Sequence, residues 1–165
     1  MKKRQIIFNI TAVLFILDQI LKIIIRSNLN LYEEVKVIKN FFSITYLKNT
    51  GAAFSILSNS SFFLIIISVL FIILISKYIK KEENNLTKLD TYYLGMILGG
   101  VFGNLFDRII HKGVIYYLSF KFFKYYFPVF NFADICITIG ILLFFISTVI
   151  NSKKESKWKK YFMKS

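Results

Sequence analysis

The chain has 165 residues, of which 56% are hydrophobic and 18% aromatic, with 19 Phe against a single Pro. That balance excludes a disordered chain and an ordinary water-soluble domain, and fits one membrane domain over residues 1–165. The formal net charge of +13 suits an anionic membrane surface and not nucleic acid, because no separate basic domain is present to bind it. A lone Cys excludes an internal disulfide and a lone His excludes a His-rich metal site; no cofactor is expected.

A transmembrane helix needs about 20 mostly apolar residues. The first apolar run, residues 5–17, is short and spans only by continuing through Asp18 and Lys22, which predicts a helix over 5–26. Asp18 and Lys22 are four residues apart, so they share a helix face and satisfy each other. The basic start (Lys2, Lys3, Arg4) also resembles a secretory signal peptide. No small-residue cleavage site follows it, so retention as the first helix is expected. Residues 27–50 alternate apolar and polar around 35–39 and 42–46, the pattern of short strands at the membrane surface.

The charge-free run 52–76 predicts a second helix over 58–79, and the charged stretch 80–90 a turn between antiparallel helices. Further helices are expected over 91–110 and 132–151. The stretch 111–131 reads as an outer loop crowded with aromatics, an interfacial belt or a greasy lid. Lys and Arg are concentrated at residues 2–4, at 77–88 and in the tail after Lys153, which places both termini in the cytoplasm.

The third helix carries Gly95, Gly99 and Gly103 on the face that ends at Asp107, and Gly100, Asn104 and Arg108 on a neighbouring face. Small residues at this spacing let helices approach closely in lipid. Two strings, Asn104-Leu105-Phe106-Asp107 and Asn131-Phe132-Ala133-Asp134, each put an amide three residues before a carboxylate. A carboxylate at bilayer depth costs roughly 2.5–3.5 kcal/mol on insertion scales, so each acid marks a functional or pairing site. Asp107-Arg108 reads as an ion pair at the membrane edge, and Asn131 as a helix cap. His111 and Cys136 stand apart from any nucleophile–base arrangement, which leaves water activated by carboxylates as the hydrolytic option.

Four blocks, in order, resemble lipoprotein signal peptidase (signal peptidase II). They are Asp18-Gln19-x-x-Lys22, Lys48-Asn49-Thr50-Gly51-Ala52-Ala53-Phe54-Ser55, Gly99-Gly100-x-x-Gly103-Asn104-Leu105-x-Asp107-Arg108 and Phe130-Asn131-x-Ala133-Asp134. The resemblance implies four transmembrane helices with a small extracytoplasmic β-cradle in the bacterial cytoplasmic membrane. It implies an aspartic endopeptidase, monomeric among membrane lipids, that cuts the signal peptide from diacylglyceryl-modified prolipoproteins at the outer face. Asp134 matches one catalytic aspartate. The other is expected nine residues after Asp107, where this chain has Tyr116, and no acid lies between Asp107 and Asp134. A phenol with a pKa of about 10 is no carboxylate base at neutral pH. Asn49, Asn104, Arg108 and Asn131 match substrate-binding positions, and Asp18, Lys22 and Asp107 structural polar ones. Three readings stay open: a peptidase that redeploys Asp107, an impaired member that keeps the lipopeptide groove, and a small four-helix transporter.

Overall fold

The computed structural model describes residues 2–51 and 61–162, with side chains through residue 151. The order of elements is α1 (Lys3–Asn28), β1 (Glu34–Ile38), β2 (Phe42–Asn49), α2 (Ser61–Glu82), α3 (Lys88–His111), β3 (Val114–Phe122), β4 (Tyr125–Tyr126) and α4 (Phe132–Phe162). Among the described residues, four helical stretches are long and apolar enough to cross a membrane, the last being Phe132–Asn151.

α1, α3 and α4 are longer than the sequence pattern predicts, and α2 ends later. α2 runs to Glu82 and α3 begins at Lys88, so the charged turn is far shorter than 80–90. Residues 58–60, the expected start of α2, and residues 52–55 of the 48–55 block lie outside the described residues. α4 continues as helix to Phe162, through the basic tail expected to follow a helix ending at 151. Apolarity marks where a helix leaves lipid, whereas hydrogen bonding decides where it ends, and nothing in 152–162 (no Pro or Gly) breaks it.

α3 is the central helix: 61% of its membrane window is buried inside the protein, against 6% for α2. It packs on α1, α2 and α4 at once. Its start is fixed by a capping box, in which Thr87 Oγ1 accepts from Asp90 N (3.2 Å) and Asp90 Oδ2 accepts from Thr87 N (2.6 Å). Ser147 of α4 donates to the other Asp90 oxygen at 2.7 Å, which ties α3 to α4 at this end. The glycines let neighbours approach. A Cβ on Gly95 or Gly99 would meet Ile10 or Leu14 of α1 at under 3 Å, and one on Gly100 would collide with the Ala133 carbonyl of α4.

The segments after α1 and between α3 and α4 form one antiparallel ribbon in the order β1-β2-β3-β4. β3 and β4 fall within the stretch read as a loop, because consecutive aromatics at 116–127 mask the strand alternation. The aromatics stack across the ribbon: Phe120 lies 4.8 Å from Phe42 and 5.8 Å from Phe130, centroid to centroid. Phe123, at the hairpin tip, is 98% exposed.

Candidate active site

The two polar faces of α3 lead to two clusters. The face of Gly103 and Asp107 meets α1. Asp18 and Lys22 pair at 2.7 Å, and Lys22 Nζ also binds Asp107 Oδ2 at 2.8 Å. All three side chains are at most 1% exposed. The expected Asp107-Arg108 ion pair is therefore replaced by Asp107–Lys22: adjacent residues on a helix diverge by about 100°, while Lys22 faces Asp107 across the helix interface. Two carboxylates share one ammonium, and neutral donors make up the deficit. Gln19 Nε2 donates to Asp18 (3.1 Å) and Asp107 (3.2 Å), Ala133 N to Asp18 Oδ1 (3.0 Å), and Ile115 N to Asp107 Oδ2 (3.1 Å).

The neighbouring face meets the start of α4. Asn104 Nδ2 donates to Asp134 Oδ1 at 2.8 Å. Its own Oδ1 accepts from Lys22 Nζ (3.3 Å) and Asn131 Nδ2 (3.0 Å), which fixes the amide orientation and joins the two clusters. Asn131 caps α4: its side chain accepts from Asp134 N at 2.9 Å, and Asp134 Oδ2 accepts from Asn131 N at 3.1 Å. Asp134 thus completes a reciprocal cap at the helix N-terminus, where a negative charge is favoured. Phe132 N, the next free amide, donates to the Tyr117 hydroxyl at 3.1 Å.

Tyr116 reaches the same place from β3. The backbone beside it is clamped, since Ile115 N is bound by Asp107 and Ile115 O by Asn131 (3.0 Å). Its phenol hydrogen-bonds the Asn49 side chain from β2 and lies within electrostatic reach of Asp134 and Arg108. Burial, and then the charge of Asp134, pushes its pKa above the ordinary value of 10.0. The phenol is accordingly neutral and holds its proton. Arg108 Nη1 donates to Asn104 O at 3.1 Å, and its Nε is buried without a hydrogen-bond partner among the described residues.

The structure therefore brings Asn49, Asn104, Arg108, Tyr116, Asn131 and Asp134 together, with Asp18, Lys22 and Asp107 packed behind them. Asp134, Tyr116, Arg108 and Asn49 keep some exposure, whereas Asn131 and Asp107 have none. Sequence reasoning missed Gln19 and Tyr117 as partners. Gln19 sits between Asp18 and Lys22 in the first block, and that placement was its signal. Tyr117 is one of many aromatics, and nothing local separates it from the rest.

The comparisons agree with this architecture. The family model described as Signal peptidase (SPase) II matches residues 10–150. A curated lipoprotein signal peptidase from Symbiobacterium thermophilum is 38% identical over 150 residues, covering 91% of this chain and 97% of that protein. Two solved structures, each described as a bacterial membrane enzyme determined in meso, superpose with TM-scores of 0.80 and 0.75 at 31% and 32% identity. The first covers 90% of both chains, and the second 86% of this chain and 91% of its own. None of these matches favours a transporter. The chain belongs to the signal peptidase II family of membrane-embedded aspartic peptidases.

Proposed function

We propose that the site around Asp134 binds the cleavage region of a diacylglyceryl-modified prolipoprotein, and that Tyr116 holds its peptidase activity far below that of a two-aspartate site. Asp134 is the one carboxylate of the two clusters that keeps exposure, and a neutral phenol stands beside it. That pairing carries the reading. Asp134 takes a proton from water, and the hydroxyl attacks the scissile carbonyl. The Tyr116 hydroxyl donates a hydrogen bond to the developing oxyanion, and Asp134 returns its proton to the leaving amine. What the pair lacks is a second carboxyl to protonate the carbonyl oxygen in advance. Losing such a group typically costs ~10²–10⁴-fold.

Asp107 cannot supply it, because Lys22, Gln19 and Ile115 N occupy its oxygens and it has no exposure. Arg108, with a donor left over, and Asn49 hold the bound backbone, while buried Asn104 and Asn131 aim Asp134. The site lies at the outer face, with both termini cytoplasmic; labelling of Lys121→Cys from outside the cell supports that orientation, and labelling only from inside reverses it.

The test is cleavage of a lipidated prolipoprotein peptide by the purified chain. Slow turnover that rises by two or more orders of magnitude in Tyr116→Asp is expected. Rapid turnover by the unmodified chain overturns the assignment to Tyr116. Absence of binding to both the lipopeptide and the family inhibitor globomycin overturns the groove.

A further inference from the structure

α1 and α2 both pack on α3 and scarcely touch each other, so a cleft opens between them toward the lipid, far from Asp134. Its volume is about 700 Å³, within the ~300–1,000 Å³ of small-molecule sites. Leu98 and Phe102 of α3 form the floor, with Phe8 and Thr11 of α1 and Ile79 of α2 as walls. Arg4 and Lys80 stand at the end where α1 starts and α2 finishes. From Lys88 to Phe102 along α3 is roughly 20 Å at 1.5 Å per residue. That is little more than one leaflet of a bilayer whose hydrocarbon core is ~30 Å thick.

An apolar slot one leaflet deep, closed at its mouth by two cations, has the form of a lipid site. We propose that the cleft holds one anionic phospholipid, with an acyl chain along Phe8, Leu98 and Phe102 and the phosphate between Arg4 and Lys80. The Arg4 side chain is 58% exposed, and its pair with Glu83 is long, 3.7 Å, so its donors remain for a stronger acceptor. Guanidinium and phosphate make short, charge-assisted, bidentate bonds. Lys3 lies alongside, with its Nζ on the Asn84 carbonyl at 2.9 Å, and adds to the positive field. Charge also decides against the other apolar occupant. A signal-peptide segment begins with a basic region, which Arg4 and Lys80 repel.

Native mass spectrometry of the full chain, offered equal amounts of phosphatidylglycerol and phosphatidylcholine, tests the proposal. One saturable phosphatidylglycerol is expected to be retained in preference to phosphatidylcholine. The double variant Arg4→Ala/Lys80→Ala is expected to lose roughly 10–30-fold of that preference, given the usual contribution of a basic residue at an anionic surface. Ser76 also lines the cleft and is exposed, so Ser76→Trp fills it without disturbing the core and is expected to lower retention with both cations intact. Equal retention of the two lipids, or many weakly held lipids unaffected by these variants, overturns the site. Full displacement by inorganic phosphate shows an anion site with no acyl chain seated. Displacement by a lysine-headed apolar peptide assigns the cleft to a peptide; either result overturns the lipid assignment.

Discussion

Around Asp107, two carboxylates and one ammonium are sealed between α1 and α3, and every oxygen has a donor. Around Asp134, where the neighbouring face of α3 meets the start of α4, a single carboxylate is held by Asn104 and by the cap of α4 and keeps some exposure. The residue types are alike, yet the environments separate their uses. A fully satisfied buried charge is available to fix helix positions, and a partly exposed one is available to meet a ligand. Asn104 links them, taking a hydrogen bond from Lys22 and giving one to Asp134. The buried cluster sets the position of the exposed one.

The largest expected effect is on the exposed side. In the Tyr116→Asp background, Asp134→Asn is expected to remove ~10²–10⁴-fold of the prolipoprotein cleavage while thermal unfolding in detergent stays nearly unchanged. A large fall in thermal stability would show Asp134 to be structural, and would erase the contrast.

On the buried side, Lys22→Met leaves Asp18 and Asp107 facing each other without a counter-charge. Breaking a buried pair in this way costs ~3–5 kcal/mol, visible as early unfolding or loss of folded protein. Asp107→Asn should cost less, about 1–3 kcal/mol, because the cluster already carries more carboxylates than ammonium groups. Activity abolished by Asp107→Asn with unfolding unchanged would move Asp107 into the reaction.

The contact that aligns the two clusters is the approach of Gly100 to the Ala133 carbonyl. Gly100→Ala is expected to cost ~1–3 kcal/mol as overpacking. By pushing α4 away from Asn104 it should also weaken globomycin binding. Unchanged binding in a folded variant would show that Asp134 does not depend on this packing.

The smallest effect is spectroscopic. Burial and the negative charge of Asp134 both disfavour the Tyr116 phenolate, so its pKa rises. Subtracting the ultraviolet titration of Tyr116→Phe from that of the parent chain should show this phenol ionising above pH 10. Asp134→Asn in the parent chain removes one cause and should bring the transition down. A phenolate appearing below pH 10 would contradict the environment described for the site.

Spacing and hydropathy along the chain determined the four spanning helices, the polar pair Asp18–Lys22, the two faces of α3 and the position of Tyr116. These are local properties: apolar run length, helical period and motif order. The ribbon strands at 114–126 were not legible, because a run of aromatics fits a lid as well as a strand. The pairing of Asp107 with Lys22 and not Arg108 was not legible either, since it depends on which helix lies against α3. Nor does the sequence tell that Asn131 and Asp134 cap α4 reciprocally while Asn104 reaches across to them. Tertiary structure decided those points. Two carboxylates with similar neighbours in sequence became different chemical groups once packing set how much water and how many donors each could reach.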